Sequence, residues 1–191
     1  MDFSMETLTS LFVGLGLAAA CGFRVFVPLL IMSFASHAGY LELSAGFAWI
    51  GTLPVLLAFA TATILEIGAY YIPWVDNVLD TLAAPAAVVA GAIAVASTLT
   101  DVDPFLSWTL AAIGGGGVAG AVQITTTAIR HASTLTTGGL ANPLVSTAEA
   151  AGSFFLATLA VVVPVIAVSL MLLLFVYAAR KFLAWRRPAS A

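Results

Sequence analysis

Residues 8–38 read LTSLFVGLGLAAACGFRVFVPLLIMSFASHA, and Arg24 is the one residue in this stretch with a permanent charge. A helix needs about 20 apolar residues to cross the hydrocarbon core of a bilayer, so the stretch is too long for one straight span. Gly22 and Pro28 lie close to Arg24 and weaken a helix there. We therefore expect a broken first helix that places Arg24 near membrane depth.

The composition of the whole chain points to the membrane as well. Of 191 residues, 62% are hydrophobic and 8% are charged, whereas soluble domains carry about 25% charged residues. This excludes a soluble enzyme, a nucleic-acid-binding protein and a disordered linker. The single cysteine, Cys21, excludes a disulfide framework or a cysteine-based metal site. We expect one all-α transmembrane domain over residues 1–191, with the lipid bilayer as partner and no cofactor or metal.

The apolar runs predict a polytopic helical bundle of about five spans. After the first segment, the spans are expected over 47–72, 81–99, 104–129 and 153–177. Asp103 and Pro104 form a typical helix start for the fourth span, as N-cap and first helical residue. Residues 73–77, PWVDN, predict an interfacial turn, with Tyr70 and Tyr71 at headgroup level. Asp80 is expected to cap the third span.

Residues 131–150 are polar and small, which favours a loop or a re-entrant segment at 135–150. Asn142 is suited to cap a helix that Pro143 opens. A half-helix that starts inside the membrane would direct free N–H groups at an anion. Ser146 and Glu149 would share one face of it. The alternative is an external loop followed by a helix that enters the membrane.

Basic residues suggest the orientation. Four of the six lie at the C-terminus, which favours a cytoplasmic location for that end: Arg180, Lys181, Arg186 and Arg187. Five spans then place the N-terminus outside, although Arg130 at the outer end of span four argues against this. An extra crossing in the first segment would place the N-terminus inside.

Two short similarities suggest an inverted repeat. LAAACG at 17–22 is similar to LAAIGG at 110–115, and SHA at 36–38 is similar to RHA at 130–132. With five spans, the first and fourth would run in opposite directions, as in many secondary transporters.

Arg24 is the residue most indicative of function. A charge at the bilayer centre costs at least about 2.5–3.5 kcal/mol and needs a partner. Glu66 is the first candidate and Glu149 the next. Such a group would bind a solute or relay protons. Alternatively, Arg24 reaches an interface, or an ion pair simply holds two helices together.

Other polar and small residues have structural interpretations. His37 and His131 follow apolar spans and are expected to be solvated, although a role in pH sensing stays open. Gly116-x-x-x-Gly120 predicts close helix packing, and through such faces a homo-oligomer. The chain contains no phosphate loop, hydrolase motif or ATP-binding motif, so we expect no enzyme, and any transport is passive or ion-coupled.

Three ordered motifs together resemble a known family. They are GxRxxxP at 22–28, a glutamate at 66 followed by PWxDxxxD at 73–80, and Arg130 followed by NPxxSxxE at 142–149. The pattern is similar to that of small bacterial inner-membrane proteins catalogued only as a domain of unknown function. The resemblance implies a multi-span protein of the bacterial inner membrane, and it supplies no activity.

The chain departs from that pattern in three places. Tyr70-Tyr71 stands where the family typically has an Asp-Lys pair, residues 125–127 lack its lysine, and Ala150 replaces an acidic residue. If those charges bind a ligand in relatives, the resemblance implies altered specificity or lost activity in this chain.

The leading hypothesis is a small transporter or channel-like protein for a polar or anionic solute. Its proposed site residues are Arg24, Glu66, Arg130, Asn142, Ser146 and Glu149. Two alternatives stay open. One is a structural or accessory subunit without catalysis, which packs through its glycine faces. The other is a protein that handles lipids or lipid-linked carriers, with Arg24 holding a phosphate.

Overall fold

The computed structural model describes residues 4–185, and every regular element among them is helical. The eight α-helices are joined by a 3₁₀ segment at Ala45–Gly51 and by a π-helical turn at Ala111–Gly116. The helices are α1 (Met5–Cys21), α2 (Phe26–His37), α3 (Leu53–Ala69), α4 (Pro73–Thr98), α5 (Pro104–Leu110), α6 (Gly117–Thr137), α7 (Asn142–Val162) and α8 (Pro164–Trp185). The predicted all-α membrane bundle is confirmed.

Helices α1 and α2 form a hairpin whose tip carries Arg24. Gly14 of α1 packs against Val95 near the end of α4. Met32 of α2 lies against Ser97, whose Oγ is 3.3 Å from the methionine sulfur. Both helices therefore lead from the tip back to the same end of α4. The broken first helix is confirmed, but the break reverses the chain instead of bending one span.

Both helices of the hairpin are short. Helix α1 has 17 residues and α2 has 12, and each is shorter than the roughly 20 residues that a crossing needs. Gly22 lies at the tip, where an added side chain would collide with Val122 and with the carbonyl group of Ala119. The lack of a side chain at this position lets the tip press against α6.

Four helical segments are long and apolar enough to span a membrane. They are Val78–Thr98, Pro104–Thr137, Asn142–Val162 and Pro164–Lys181. A fifth is obtained if Ala45–Gly51 and α3, which meet at an angle of 65°, are taken as one bent span. The predicted number of about five is therefore confirmed, although the first predicted span is a hairpin and the last is divided.

The single last span predicted over 153–177 was wrong. The chain breaks at Val163, which has φ −140° and ψ 74°, and α8 starts at Pro164. Proline has no N–H group and disfavours helical geometry in the residue before it, so α7 ends there. The residues of the predicted span therefore belong to two antiparallel helices.

The loop predicted from residue 131 onward was wrong as well. Helix α6 continues to Thr137, and its threonine hydroxyls bond within the helix by donating to carbonyl oxygens one turn earlier, as from Thr134 to Arg130 at 3.0 Å and from Thr137 to Ser133 at 2.8 Å. The connection is only 138–141, and its two glycines adopt positive φ. Residues 135–150 are thus the end of α6, a turn and the start of α7, not a re-entrant segment.

Helix boundaries also differ around Pro73. The turn lies at 70–72, and Pro73 begins α4 where an interfacial turn was expected. Pro73 suits the first turn of a helix because an N–H group at that position has no partner within the helix. Further along, Asp103 caps α5 as predicted, with its Oδ1 accepting from the N–H of Phe105 at 3.0 Å.

The two segments with similar sequences run in the same direction. Leu15 of α1 is the side chain nearest Gly114 in the π-helical turn, and Gly22 lies against Val122 of α6. The inverted repeat was expected because the first segment was counted as one crossing. A hairpin makes no net crossing, so α1 and α6 are parallel.

The C-terminal helix ends on the side of the hairpin tip. Ala167 of α8 lies near Gly16, and Phe175, two turns later, lies near Phe23. Because α6 also runs toward that side, Arg130 and the end of α8 share it. The conflict between Arg130 and the basic C-terminus is thereby removed. Arg186 and Arg187 lie outside the described residues.

Small residues on α4 and α6 permit close contact within the chain. A Cβ atom on Gly91 would lie 2.6 Å from the carbonyl oxygen of Gly115 and 2.5 Å from the Cβ of Ala119. Gly116 and Gly120 both face Val88 of α4. The glycine surface that suggested a homo-oligomer is therefore covered by the chain itself.

We expect Gly91→Ala to destabilise the bundle by about 1–3 kcal/mol, because the added methyl group overpacks the α4–α6 contact. Gly117→Ala is the matched control, since no atom lies within 4 Å of a Cβ built there. Alanine is a better helix former than glycine by about 1 kcal/mol, so this control is expected to be neutral or stabilising. Thermal unfolding in detergent, followed by circular dichroism, measures both. Equal melting temperatures for the two variants would contradict this account of the contact.

Candidate functional site

The hairpin tip brings Arg24 among charged residues of three long helices. Asp80 lies seven residues after the start of α4, Arg130 seven residues before the end of α6, and Glu149 seven residues after the start of α7. At a rise of 1.5 Å per residue, each lies about 10 Å inside its helix end. The group therefore lies within the bundle, on the side toward which α8 runs.

Arg24 is 1% exposed and is held mainly by α7. Its Nη2 lies 3.1 Å from Oε2 of Glu149, 2.6 Å from Oγ of Ser146 and 3.1 Å from the carbonyl oxygen of Ser146. The sequence favoured Glu66 as the first partner and Glu149 as the second. The structure pairs Arg24 with Glu149, because α7 lies directly beside the tip.

Arg130 completes a chain of ion pairs. Its Nη2 lies 2.8 Å from Oδ1 of Asp80, and its Nη1 lies 3.4 Å from the same Glu149 oxygen that contacts Arg24. One carboxylate oxygen thus bridges two buried guanidinium groups. The predicted cap role of Asp80 was wrong, since α4 begins seven residues earlier and Asp80 lies inside the helix.

Tyr70 lies against both arginines. Its ring centroid is 3.6 Å from Cζ of Arg24 and 4.6 Å from Cζ of Arg130, and the residue is buried. The faces of an aromatic ring carry partial negative charge and attract guanidinium groups. The expected headgroup position was wrong for Tyr70, because the chain turns directly after α3. Tyr71 is exposed, and its hydroxyl is 2.7 Å from Oγ1 of Thr147.

Glu66 holds the backbone of the hairpin tip. Its two carboxylate oxygens accept hydrogen bonds from the N–H groups of Val25 at 2.8 Å and Phe26 at 3.1 Å. These are the first N–H groups of α2, which has no side-chain cap of its own. A negative charge is favourable at a helix N-terminus. Glu66 therefore positions Arg24 through the backbone and does not pair with it directly.

Asn142 lies farther from the group. Its Nδ2 donates to Oγ1 of Thr134 at 2.9 Å, which joins the start of α7 to the end of α6. The predicted N-cap role was wrong, because Ala141 occupies that position and no side chain caps α7. Of the six predicted site residues, the structure brings together Arg24, Arg130, Ser146 and Glu149. Glu66 is connected to them through its hydrogen bonds to the backbone of the hairpin tip, whereas Asn142 lies apart from the group.

Two residues of the group were missed by sequence reasoning. Asp80 is the last residue of the PWxDxxxD motif, and this was a signal that it belongs with the other motif residues. For Tyr70 the one signal was that Tyr70-Tyr71 stands where the family typically has an Asp-Lys pair, since the sequence placed the end of the preceding helix a few residues later. We name the group formed by Arg24, Glu66, Tyr70, Asp80, Arg130, Ser146 and Glu149 the arginine cluster.

A sequence model of one protein family matches residues 11–183. The chain belongs to the family described as a domain of unknown function (DUF4126). This confirms the resemblance drawn from the three motifs. No curated protein and no solved structure matches the chain. Membership of DUF4126 thus supplies a family without an activity, and the function of this member has to be inferred from the arginine cluster.

We expect Glu66→Ala to loosen the hairpin tip of this DUF4126 protein. Two backbone N–H groups would lose their acceptor, which costs about 1–3 kcal/mol for a buried donor. Hydrogen–deuterium exchange should then rise in residues 25–27 and stay unchanged in α6. Glu42→Ala is the control, since Glu42 is exposed. Protection of residues 25–27 that is identical in both variants would show that Glu66 does not hold the tip.

Proposed function

We propose that the protein carries a polar or anionic solute across the membrane and that it transports rather than catalyses. The observation that carries the proposal is the sharing of one Glu149 oxygen by Arg24 and Arg130, at 3.1 and 3.4 Å, inside an apolar helical bundle. Charged residues within membrane helices are costly and commonly mark a solute or ion pathway. A helix break beside such charges is also typical of transporter binding sites.

Glu149 occupies the place that an anion would take. Oε2 of Glu149 lies between two guanidinium groups, which bind carboxylate and phosphate oxygens with good geometry. Among the described residues, Nε and Nη1 of Arg24 have no hydrogen-bond partner, although both are buried. An anion that displaces Glu149 would gain the Arg24–Arg130 pair and these further donors.

The charges of the cluster require a proton to move with the anion. Among the described residues, two arginines face three carboxylates, those of Glu66, Asp80 and Glu149. A further negative charge in this buried group would be unfavourable because uncompensated charges are strongly destabilising away from water. Protonation of Glu149 offsets the incoming charge and releases both guanidinium groups. Transport is therefore coupled to protons in this proposal, in agreement with the lack of an ATP-binding motif.

The orientation follows from the exposed basic residues of α8. Arg180 and Lys181 are exposed and lie toward the side of the arginine cluster. Basic residues beside membrane helices favour the cytoplasmic side. We place the C-terminus in the cytoplasm of a bacterial cell, the protein in the inner membrane, and the cluster in the cytoplasmic half of the bundle. A homo-oligomer stays a prediction, and it would use surfaces other than the Gly116–Gly120 face.

Ser146→Ala tests the site without changing any charge. The variant removes the 2.6 Å hydrogen bond to Arg24. A hydrogen bond to a charged group contributes about 1.5–3 kcal/mol, so we expect solute flux to fall by about tenfold or more. Flux of carboxylate and phosphate compounds is measured in proteoliposomes that contain a pH-sensitive dye. Ser169→Ala is the matched control, since Ser169 is exposed and bonds only within α8.

Arg24→Gln and Glu149→Gln complete the set, each after its elution profile and melting temperature confirm folding. Arg24→Gln should abolish flux, and Glu149→Gln should leave residual flux without acidification or alkalinisation of the vesicle interior. Flux that is unchanged in both Ser146→Ala and Arg24→Gln would refute the proposed site. Proton movement that persists in Glu149→Gln would refute the role of Glu149.

A further inference from the structure

A cleft separates the consecutive helices α3 and α4. Among the described residues, α3 packs against α2 and makes little contact with α4. The cleft has a volume of about 370 Å³, within the range typical of small-molecule sites. Its walls are almost entirely apolar and come from three helices: Val25, Phe26, Ala62, Leu65, Leu79 and Leu82 are among them.

The cleft opens sideways, toward the lipid. Leu65 of α3 and Leu82 of α4 line it and are 66% and 58% exposed. In a membrane-spanning bundle, such apolar side chains on the outer face contact lipid tails. A hydrophilic solute that entered here would lose its hydration against an apolar wall. A hydrocarbon chain already in the bilayer would not.

The inner end of the cleft reaches the arginine cluster. Glu66 and Tyr70 line the cleft, and the ring of Tyr70 also lies against Arg24 and Arg130. One aromatic side chain thus separates an apolar cleft that is open to lipid from two buried guanidinium groups. The apolar cleft could hold the hydrocarbon tail of an anionic amphiphile, and the guanidinium groups at its inner end could bind the negatively charged head.

We propose that the solute is a membrane lipid with a phosphate head, which enters through the α3–α4 cleft. Its hydrocarbon chain lies between Leu65 and Leu82, and its phosphate reaches Arg24 and Arg130 when the Tyr70 side chain moves aside. Guanidinium groups suit phosphate because their N–H donors match its oxygens. Nε and Nη1 of Arg24, which have no partner in the described part of the chain, add donors. This inference rests on the proposed function and names its substrate class.

A second cleft provides the control. It lies between α1, α6, α7 and α8, measures about 110 Å³ and includes Leu174 among its apolar lining residues. None of its lining residues is charged. Leu174→Trp therefore fills a cleft that has no charged residue and no tyrosine among its described lining residues, whereas Leu82→Trp fills the one lined by Glu66 and Tyr70.

The test measures the binding of fluorescent phosphatidic acid and fluorescent phosphatidylcholine to the full chain in lipid nanodiscs. We expect at least tenfold tighter binding of phosphatidic acid to the unmodified protein. Leu82→Trp should weaken the binding of phosphatidic acid at least tenfold by blocking its hydrocarbon tail, and Ser146→Ala should do so by disturbing the site of its phosphate. Leu174→Trp should leave the binding unchanged.

The outcomes separate this inference from the proposed function. Weakening by Ser146→Ala alone would show an anion site without lipid entry, which overturns the inference and leaves the proposed function in place. Weakening by Leu82→Trp alone would show that the hydrocarbon tail of the lipid binds in the cleft but that its phosphate does not reach the arginine cluster, and would overturn the inference. Equal binding of the two lipids would overturn it as well. Insensitivity of phosphatidic acid binding to both variants would count against the arginine cluster as an anion site altogether.

Discussion

The contact of one Glu149 oxygen with both Arg24 and Arg130 is the interaction on which the arrangement of the bundle depends. Two guanidinium groups against one tyrosine ring repel each other, and this repulsion is strong away from water. The carboxylate between them makes their approach favourable, and Asp80 adds a second negative charge beside Arg130. Because these residues come from the tip, α4, α6 and α7, the ion pairs fix where four separate elements meet.

Small side chains on α1 let the neighbouring helices approach closely enough for these ion pairs to form. Residues 17–21 of α1 are completely buried, so this part of α1 runs through the centre of the bundle and is apolar on all sides, as buried helices are. Gly14, Gly16 and Gly22 face α4, α7 and α6 in turn. Larger residues at these positions would hold the neighbouring helices apart, and the arginines would lose their partners. The glycines that resemble an interface between subunits serve the interior of one chain.

Part of this structure could be predicted from the sequence. Composition predicts a helical membrane protein, and the Gly22–Pro28 region predicts a break at Arg24. The angle of the break could not be predicted, because glycine and proline permit many angles. The packing of α1 and α2 on α4 and α7 determines which angle is adopted. The helical state of residues 131–137 was missed because threonine favours strands and turns, yet within a helix its hydroxyl bonds to the preceding turn.

The site was predictable to the extent that charges are rare in this chain. Arg24, Arg130 and Glu149 attract attention because a membrane interior excludes isolated charges. Their pairing was not predictable, since it depends on which helices are neighbours. Tyr70 and Asp80 were assigned to the surface because the predicted end of α3 and the predicted start of α4 both lay several residues too late in the sequence. Because α4 begins at Pro73, Asp80 lies two turns inside the helix, and because α3 ends at Ala69, Tyr70 lies in the turn beside the arginines.

The separation of the tip from its partners along the chain has a consequence for biosynthesis. Arg24 and Ser146 are 122 residues apart. At a synthesis rate of about 5–20 residues per second, Arg24 is added to the growing chain about 6–24 s before Ser146. During that interval no α7 is present to receive the guanidinium group. The first two helices are therefore synthesised first, but Arg24 can bond to Ser146 and Glu149 only when the last quarter of the chain is being synthesised.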